Sequence, residues 1–355
     1  MKVVKVGLSL VITVALVYFL NRDWNSGSPI PALGKFLNPF TGFWQNAETM
    51  KPNAETLSLK GLNDEVTILY DSLLIPHVFA KNDDDLYFAQ GYITAKNRLW
   101  QMEFQTHAAA GRVSEIIGAA ALDYDRTQRR RGMIYAAENA LNAMESDPIA
   151  KAMVTSYTRG INQYIESLRD KDFPLEYKLL NYRPEPWTNL KCALLLKNMA
   201  LTLNFGDKDI EMTNALKLFD KEVVDLLWPD HEMVGDPIVD RKDNWKFTPV
   251  TLDSVPLALP DALINLQPLT KADKDVGSNN WAVGGRKTQT GSPILCNDPH
   301  LNLTLPSIWY VIHLNAPGVN VMGASLPGSP AVISGFNDSI AWGSNQCTTR
   351  FGGLV

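Results

Sequence analysis

The chain has 355 residues, 45% of them hydrophobic, and a formal net charge of −5. That hydrophobic share excludes wholesale disorder, and a mild negative charge without a basic stripe argues against a nucleic-acid partner. Cys192, Cys296 and Cys347 are too few and too far apart for a disulfide framework or a metal cluster, and read as core residues.

The length suits one large domain or two ordinary ones. Residues 1–22 read as a signal anchor or signal peptide. Lys2 and Lys5 supply positive charge, Val6 to Leu20 is apolar apart from Ser9 and Thr13, and Asn21-Arg22-Asp23 closes the run. The run is short for a full span of about 20 residues, and no small-x-small cleavage site follows, so anchor and uncleaved signal both stay open. Either sends the remainder to the periplasm or another extracytoplasmic space. Residues 23–45, with Pro and Gly from Ser26 to Phe43, read as a linker off the membrane.

Residues 46–228 form a mainly helical region. Two short strands come first, Glu65 to Tyr70 and His77 to Ala80. Asp83-Asp84-Asp85 then opens a long helix, with acids where the helix dipole favours them. Leu86, Ala89, Ile93, Trp100 and Phe104 keep the spacing of one buried face. Asp147-Pro148 starts a second helix with Met153, Tyr157, Ile161 and Leu168 as its stripe. Thr188 caps a third, through Cys192 to Leu203. Glu211 to Trp228 is a further helical run.

Residues 229–277 change character: prolines at 237, 249, 256, 260 and 268 and little periodicity make a spacer. From residue 278 to 355 the texture is β. Candidate strands are Asn280–Gly284, Pro293–Asn297, Ile308–Asn315, Val319–Ser325, Ala331–Phe336 and Ile340–Gly343. Helices first and strands after suggest an α-rich part wrapped on a sheet-rich one, an α+β chain.

The stretch Gly277-Ser278-Asn279-Asn280-Trp281 sits where the texture changes. It can be a turn leading into a strand. It can also be a cleavage point, after which Ser278 carries nucleophile and base on one residue. Its hydroxyl would attack and its own α-amine, with an ordinary pKa of about 7.7–8.0, would take the proton. A glycine before the cut would accommodate the strained backbone that self-cleavage needs.

Several ordered blocks decide between these readings. They are Ile75-Pro76-His77-Val78, Asp85 to Tyr92, Arg98-Leu99-Trp100-Gln101-Met102-Glu103 and Gly111-Arg112-Val113-Ser114-Glu115 in the first half. The second half adds Ser278-Asn279-Asn280-Trp281, Asn297-Asp298-Pro299-His300, Met322 to Pro330, Gly335-Phe336-Asn337 and Ala341-Trp342-Gly343. With these blocks the sequence resembles the penicillin acylase family of N-terminal nucleophile hydrolases, from roughly Leu33 to Trp342.

The resemblance implies an αββα sandwich, a precursor that cuts itself before Ser278 into two subunits, and amide hydrolysis through an acyl-enzyme. It makes Ser278 the nucleophile, sets His300 beside it, and assigns the backbone N–H of Gln346 to the oxyanion. It aligns Leu201, Asn204 and Phe205, with Leu301 from the other subunit, to the acyl pocket. It gives Glu211 to a structural calcium, a cation that prefers hard oxygen ligands, and it implies no organic cofactor. For the apolar pocket residues, ordinary core packing is an equal alternative.

The resemblance breaks at the far end. The family's second chain runs to several hundred residues, and the calcium carboxylates expected after Trp342 are missing from Arg350 to Val355. Back-translated and read one base later, the codons from Asn345 onward permit an Asn four residues after Trp342 and acids eight and eleven after it. A frameshift near Ser344 is therefore expected. Two functions follow: an extracytoplasmic acylase acting on β-lactam side chains, acyl homoserine lactones or other small N-acyl compounds, or a truncated, inactive member of the same family. A conventional serine hydrolase is disfavoured, because Gly323-Ala324-Ser325-Leu326-Pro327 misses the Gly-x-Ser-x-Gly elbow.

Overall fold

A computed structural model describes residues 2–22, 24–25, 29–30, 32–47, 54–203, 215–216, 218–227 and 277–345. The chain divides into two compact units, Met1–Leu203 with Gly277–Gln346, and Asn204–Val276 with Cys347–Val355. In the second unit Ala215, Leu216 and Leu218 are helical, and a further helix spans Lys221–Leu227. Phe219 and Asp220 precede it outside helical geometry, so the run expected from Glu211 to Trp228 is interrupted there. The Asp220 carbonyl accepts from the Val223 and Val224 amides and opens a new first turn.

In the first unit, α1 (Lys2–Asn21) is followed by a minimal strand pair, Trp24–Asn25 with Pro29–Ile30, a short helical turn, Leu33–Phe36, and then the strands β1 (Thr67–Tyr70) and β2 (Pro76–Phe79). The long helix α2 (Asp83–Ala110) comes next, then α3 (Leu122–Arg130), α4 (Met133–Ser146) and α5 (Pro148–Ser167). The helices α6 (Leu175–Leu180) and α7 (Asn189–Thr202) complete this half. After residue 277 come β3 (Gly277–Val283), β4 (Ile294–His300), β5 (Tyr310–Ala316), β6 (Val319–Ser325), β7 (Ser334–Asn337) and β8 (Ala341–Trp342). Helices and sheet belong to one packed unit, an α+β architecture.

Caps fix the helix starts. Asn82, rather than the acids after it, caps α2, its side chain accepting from the Asp85 amide at 2.8 Å. Asp147 caps α5 through the Ile149 and Ala150 amides, with Pro148 in the first turn, and Thr188 caps α7. The buried Asp85 carboxylate accepts from the Asn63 and Asp64 amides, at 2.8 and 2.9 Å, and pins the segment before β1 to the helix.

The main sheet has six strands in the order β8-β7-β6-β5-β2-β1. Its one parallel pair, β2 with β5, aligns His77 with His313 and Phe79 with Asn315. Strands from the first half of the chain thus complete a sheet built in the second. Tyr310, Ile312, Leu314 and Ala316 alternate along β5 toward a core with Val78, Leu86, Ala89 and Ile93. On the opposite face Leu69, Phe79, Val311 and Phe336 are exposed.

The helix α2 is buried on two sides. Beyond the sheet-facing residues, Ala95, Leu99 and Met102 join Val154, Tyr157, Ile161, Tyr177, Trp187, Cys192 and Leu195 in a second cluster. The expected single stripe therefore holds from Leu86 to Ile93 and then fails: Trp100 is only partly covered and Phe104 is exposed. On α5, Tyr157 and Ile161 are buried as expected, but Met153 and Leu168 are half-buried and Val154 takes the inner position. The crossing of α2 and α5 is close enough that a methyl on Gly160 would overlap the Phe88 carbonyl, and one on Gly91 the Tyr157 carbonyl.

Long-range polar bonds lock helices to sheet. Both ends of the buried Gln90 amide bind the Ala331 backbone, at 3.1 and 3.2 Å, and the Gly328 amide donates to the Tyr157 hydroxyl at 3.0 Å. Ser325 donates to the Tyr310 carbonyl at 2.7 Å and is buried, so it is a sheet residue and not a nucleophile.

A buried polar network crosses the helical layer. The Glu103 carboxylate accepts from the Tyr177 hydroxyl and, at 2.7 Å, from the Glu185 amide, while Lys191 lies 3.1 Å from Glu185. Burial pushes the Glu103 carboxyl up, against the pull of those donors. Glu185 is held down to about 2 by its hydrogen bonds from Arg112. The signs are opposite. A depressed carboxyl stabilises the fold above its unfolded pKa and loses that contribution as pH falls through the folded one; a raised carboxyl loses its contribution as pH rises. Glu185→Gln should therefore flatten the loss of thermal stability between about pH 4.5 and 2. Melting curves across that window check it; an unchanged acid limb would remove Glu185 as a source of acid sensitivity.

Candidate active site

The strands β3 and β4 form a separate two-stranded antiparallel ribbon. Its register pairs Gly277 with His300, Ser278 with Pro299, Asn279 with Asp298, Asn280 with Asn297 and Trp281 with Cys296. The ribbon is longer than the sequence pattern suggests: β3 begins at Gly277, not Asn280, and β4 continues to His300, not Asn297. Gly277 to Asn280 are turn formers by composition, but each finds a partner in register on the opposite strand, and pairing overrides local preference. The Gly277–Ser278 bond thus joins the first two residues of β3.

A methyl on Gly277 would meet only His300 Nδ1, at 3.6 Å. The Ser278 hydroxyl donates to the Gly277 carbonyl oxygen at 2.7 Å. The Ser278 hydroxyl and the carbonyl of the preceding peptide bond are in contact.

His300 lies across from Gly277 rather than from Ser278. Directly opposed residues share a face and successive residues alternate, so Ser278, Asn280, Asn297 and Pro299 project from one face. Gly277, Asn279, Asp298 and His300 project from the other. There, His300 Nε2 lies 3.0 Å from Asp298 Oδ2 and 3.2 Å from Asn279 Nδ2. The resemblance set His300 beside Ser278; in the structure it borders Gly277, the residue before it.

On the Ser278 face, residues 343–345 come down onto the ribbon. Asn280 Nδ2 donates to the Gly343 carbonyl at 3.2 Å, and Asn297 Nδ2 to the Ser344 carbonyl at 3.1 Å and to Asn345 Oδ1 at 3.2 Å. A methyl on Gly343 would sit 2.5 Å from Asn297 Cγ, which is why a glycine stands there. Asn280 and Asn297 lie within the motifs around Ser278 and His300, which by themselves give the two asparagines no role. The signal available was an asparagine at the same interval inward from each end of the ribbon.

The remaining site candidates scatter. Leu301 follows His300 directly and is half-buried. Leu201 packs against the cluster of Ala109, Ala110, Met133, Ala137, Ala193 and Leu194, an ordinary core position in the helical layer. Asn204, Phe205, Glu211 and Gln346 lie outside the described residues, as does Cys347. Cys192 is buried, as expected, with its thiol pushed up to about 11 by burial, whereas Cys296 on β4 is only half-buried.

Among the described residues, one cluster has the ligand types for a metal: His107, Glu115 and Glu185. It does not suit calcium. Arg112 spans both carboxylates, at 2.6 and 2.7 Å, so a fixed cation already fills the site, and a histidine nitrogen is a poor calcium ligand.

A family profile described as penicillin amidase matches residues 65–349. The chain belongs to the penicillin amidase family. An acyl-homoserine lactone acylase, QuiP, of Pseudomonas aeruginosa is 31% identical over 84% of this chain and 35% of its own length. A penicillin acylase 2 proenzyme of Pseudomonas sp. is 30% identical over 79% of this chain and 36% of its own. The penicillin G acylase of Escherichia coli is 24% identical, over 82% and 39%. The chain therefore spans little more than a third of the curated family members it matches. Among solved structures, a thermostable penicillin G acylase from Alcaligenes faecalis aligns with 53% of this chain and 98% of its own, at 23% identity and a TM-score of 0.40.

Proposed function

We propose that the Gly277–Ser278 bond is cut by the chain itself and that Ser278 then acts as the N-terminal nucleophile of an acylase. The observation that carries this reading is the hydrogen bond from the Ser278 hydroxyl to the Gly277 carbonyl. Attack of that oxygen on the carbonyl carbon turns the amide into an ester and frees the Ser278 nitrogen. Water then hydrolyses the ester, leaving a Gly277 carboxylate and a Ser278 residue with both hydroxyl and α-amine. Deacylation of substrate repeats the logic: the hydroxyl attacks, the amine takes its proton and passes it to the leaving amine, and water releases the acid.

Other residues take supporting roles. His300, tied to Asp298, borders Gly277, the residue that departs at the cut. The Gln346 amide is assigned to the oxyanion, Leu201, Asn204, Phe205 and Leu301 to the acyl group, and the two products of the cut stay together in an αββα sandwich. The substrates are small N-acyl compounds, acyl homoserine lactones or β-lactam side chains, in keeping with the names of the relatives. The helix α1, unburied and long and apolar enough from Val4 to Asn21 to cross a membrane, supports an extracytoplasmic location.

A denaturing gel with N-terminal sequencing of the smaller band tests the reading. Two fragments meeting at Ser278 are expected, and a persistent single band would defeat it. The same reading includes a structural calcium with Glu211 as one ligand. Chelation with EDTA should lower the melting temperature and added calcium restore it, and no shift would strike the metal from the account.

A further inference from the structure

We infer that Asn280 and Asn297 are positioning residues for the chemistry at Ser278, an inference that rests on the reading of Ser278 given above. They stand directly opposite each other on the ribbon, on the face that carries the Ser278 side chain. Two asparagines so placed could bond to each other. Instead both amides reach backbone carbonyls of Gly343 and Ser344, and the Asn297 amide nitrogen adds a bond to the Asn345 side-chain oxygen.

The clasp holds a short tether. Just before it, β8 is fixed by pairing with β7, through Ala341 with Phe336 and Trp342 with Gly335. The Trp342 indole N–H adds a bond to the Val332 carbonyl at 3.4 Å. The chain leaving the sheet edge is therefore gripped again within three residues, on the nucleophile's side of the ribbon. Asn280 lies two residues from Ser278, about 7 Å along the strand. Gly343 allows this approach, because any side chain there would collide with Asn297.

The chemistry explains why such a grip matters. Attack by Ser278 puts negative charge on the oxygen of the carbonyl it adds to, at the cut and again in each turnover. Donors aimed at that oxygen work only if they are fixed in place beforehand. A displacement of about 1 Å in such a group costs on the order of 100-fold in rate. Asn280 and Asn297 are bonded to residues 343–345 and act by fixing that stretch on the face of the ribbon that carries Ser278.

The test is the rate of cutting at Gly277–Ser278 in the full chain, with the melting temperature measured alongside. Asn297→Asp keeps size and shape but cannot donate, Asn297→Ala removes the group, and Gly343→Ala pushes the tether off while leaving both asparagines intact. Each should slow the cut by about 100-fold with little change in melting temperature, and Asn280→Ala, which loses one bond, by less. In protein that has matured, Asn297→Asp should lower kcat on an N-acyl amide and leave KM unchanged. Wild-type rates in all variants, or slowing that merely tracks loss of melting temperature, would overturn the positioning role. A wild-type chain that is never cut would instead bring down the Ser278 reading itself, so the two failures are told apart.

Discussion

Replacing Ser278 with alanine should leave the chain whole: one band on a denaturing gel and no new N-terminus. The expectation follows from the geometry of one bond. The hydroxyl rests on the Gly277 carbonyl oxygen, and no other serine or threonine of the ribbon partners that carbonyl in the hydrogen bonds of the described residues. The alanine chain keeps the strand, because the ladder from Gly277 to Val283 is made by backbone groups. Its melting temperature should accordingly stay close to that of wild type. Amide hydrolysis should fall by about 10⁶-fold, the scale of losing a serine nucleophile.

Cysteine at the same position separates two roles. A thiol can attack the carbonyl to form a thioester, so Ser278→Cys should still be cut while its turnover of amides changes. If the alanine chain is cut at the same bond as wild type, the hydroxyl is not the agent. If wild type hydrolyses amides while uncut, the α-amine cannot be the base, and the proposed mechanism fails as a whole.

Much of the local structure can be read from the residues. Asp147-Pro148 and Thr188 announce helix starts, because a side-chain acceptor must meet the orphan amides of a first turn. Val319 to Ser325 is a strand from end to end, as its composition says. Other strand ends slip by one to three residues, as with Ser334–Asn337 against the expected Ala331–Phe336. At Ala331 the chain is held in a positive-φ conformation by the Gln90 amide, a contact that no local pattern encodes.

The order of elements suggests an α-rich part on a sheet-rich one but not which strands pair: His77 in β2 aligns in register with His313 in β5. Sequence patterns give the period of each strand but not its neighbour at a separation of 236 positions. The candidate site shows the same limit. The motifs carrying Ser278 and His300 are visible in the sequence, but the antiparallel register that sends their side chains to opposite faces is a property of pairing.

Gly160→Ala should be among the most damaging single changes in the helical layer. The glycine sits on α5 against α2, and an added methyl would overlap the Phe88 carbonyl oxygen and come within 2.9 Å of the Tyr92 nitrogen. Those are backbone atoms of a helix, so no side chain can swing aside; the two helices must part. Parting them opens the cluster around Tyr157, Ile161, Leu99 and Met102. Ordinary overpacking costs about 1–3 kcal/mol, and a forced backbone separation belongs at or above the top of that range. For a unit of this size each kcal/mol lowers the melting temperature by about 2–4 °C, so a loss of roughly 10 °C is expected. Gly284→Ala is the control, since that residue has φ −64° and nothing within 4 Å of the added methyl. Both are best measured in the Ser278→Ala background, where the chain stays in one piece. Equal melting temperatures for the Gly160 and Gly284 variants would show that α2 and α5 do not cross as closely as described, and would take with them the packing that seats Tyr157 under Gly328.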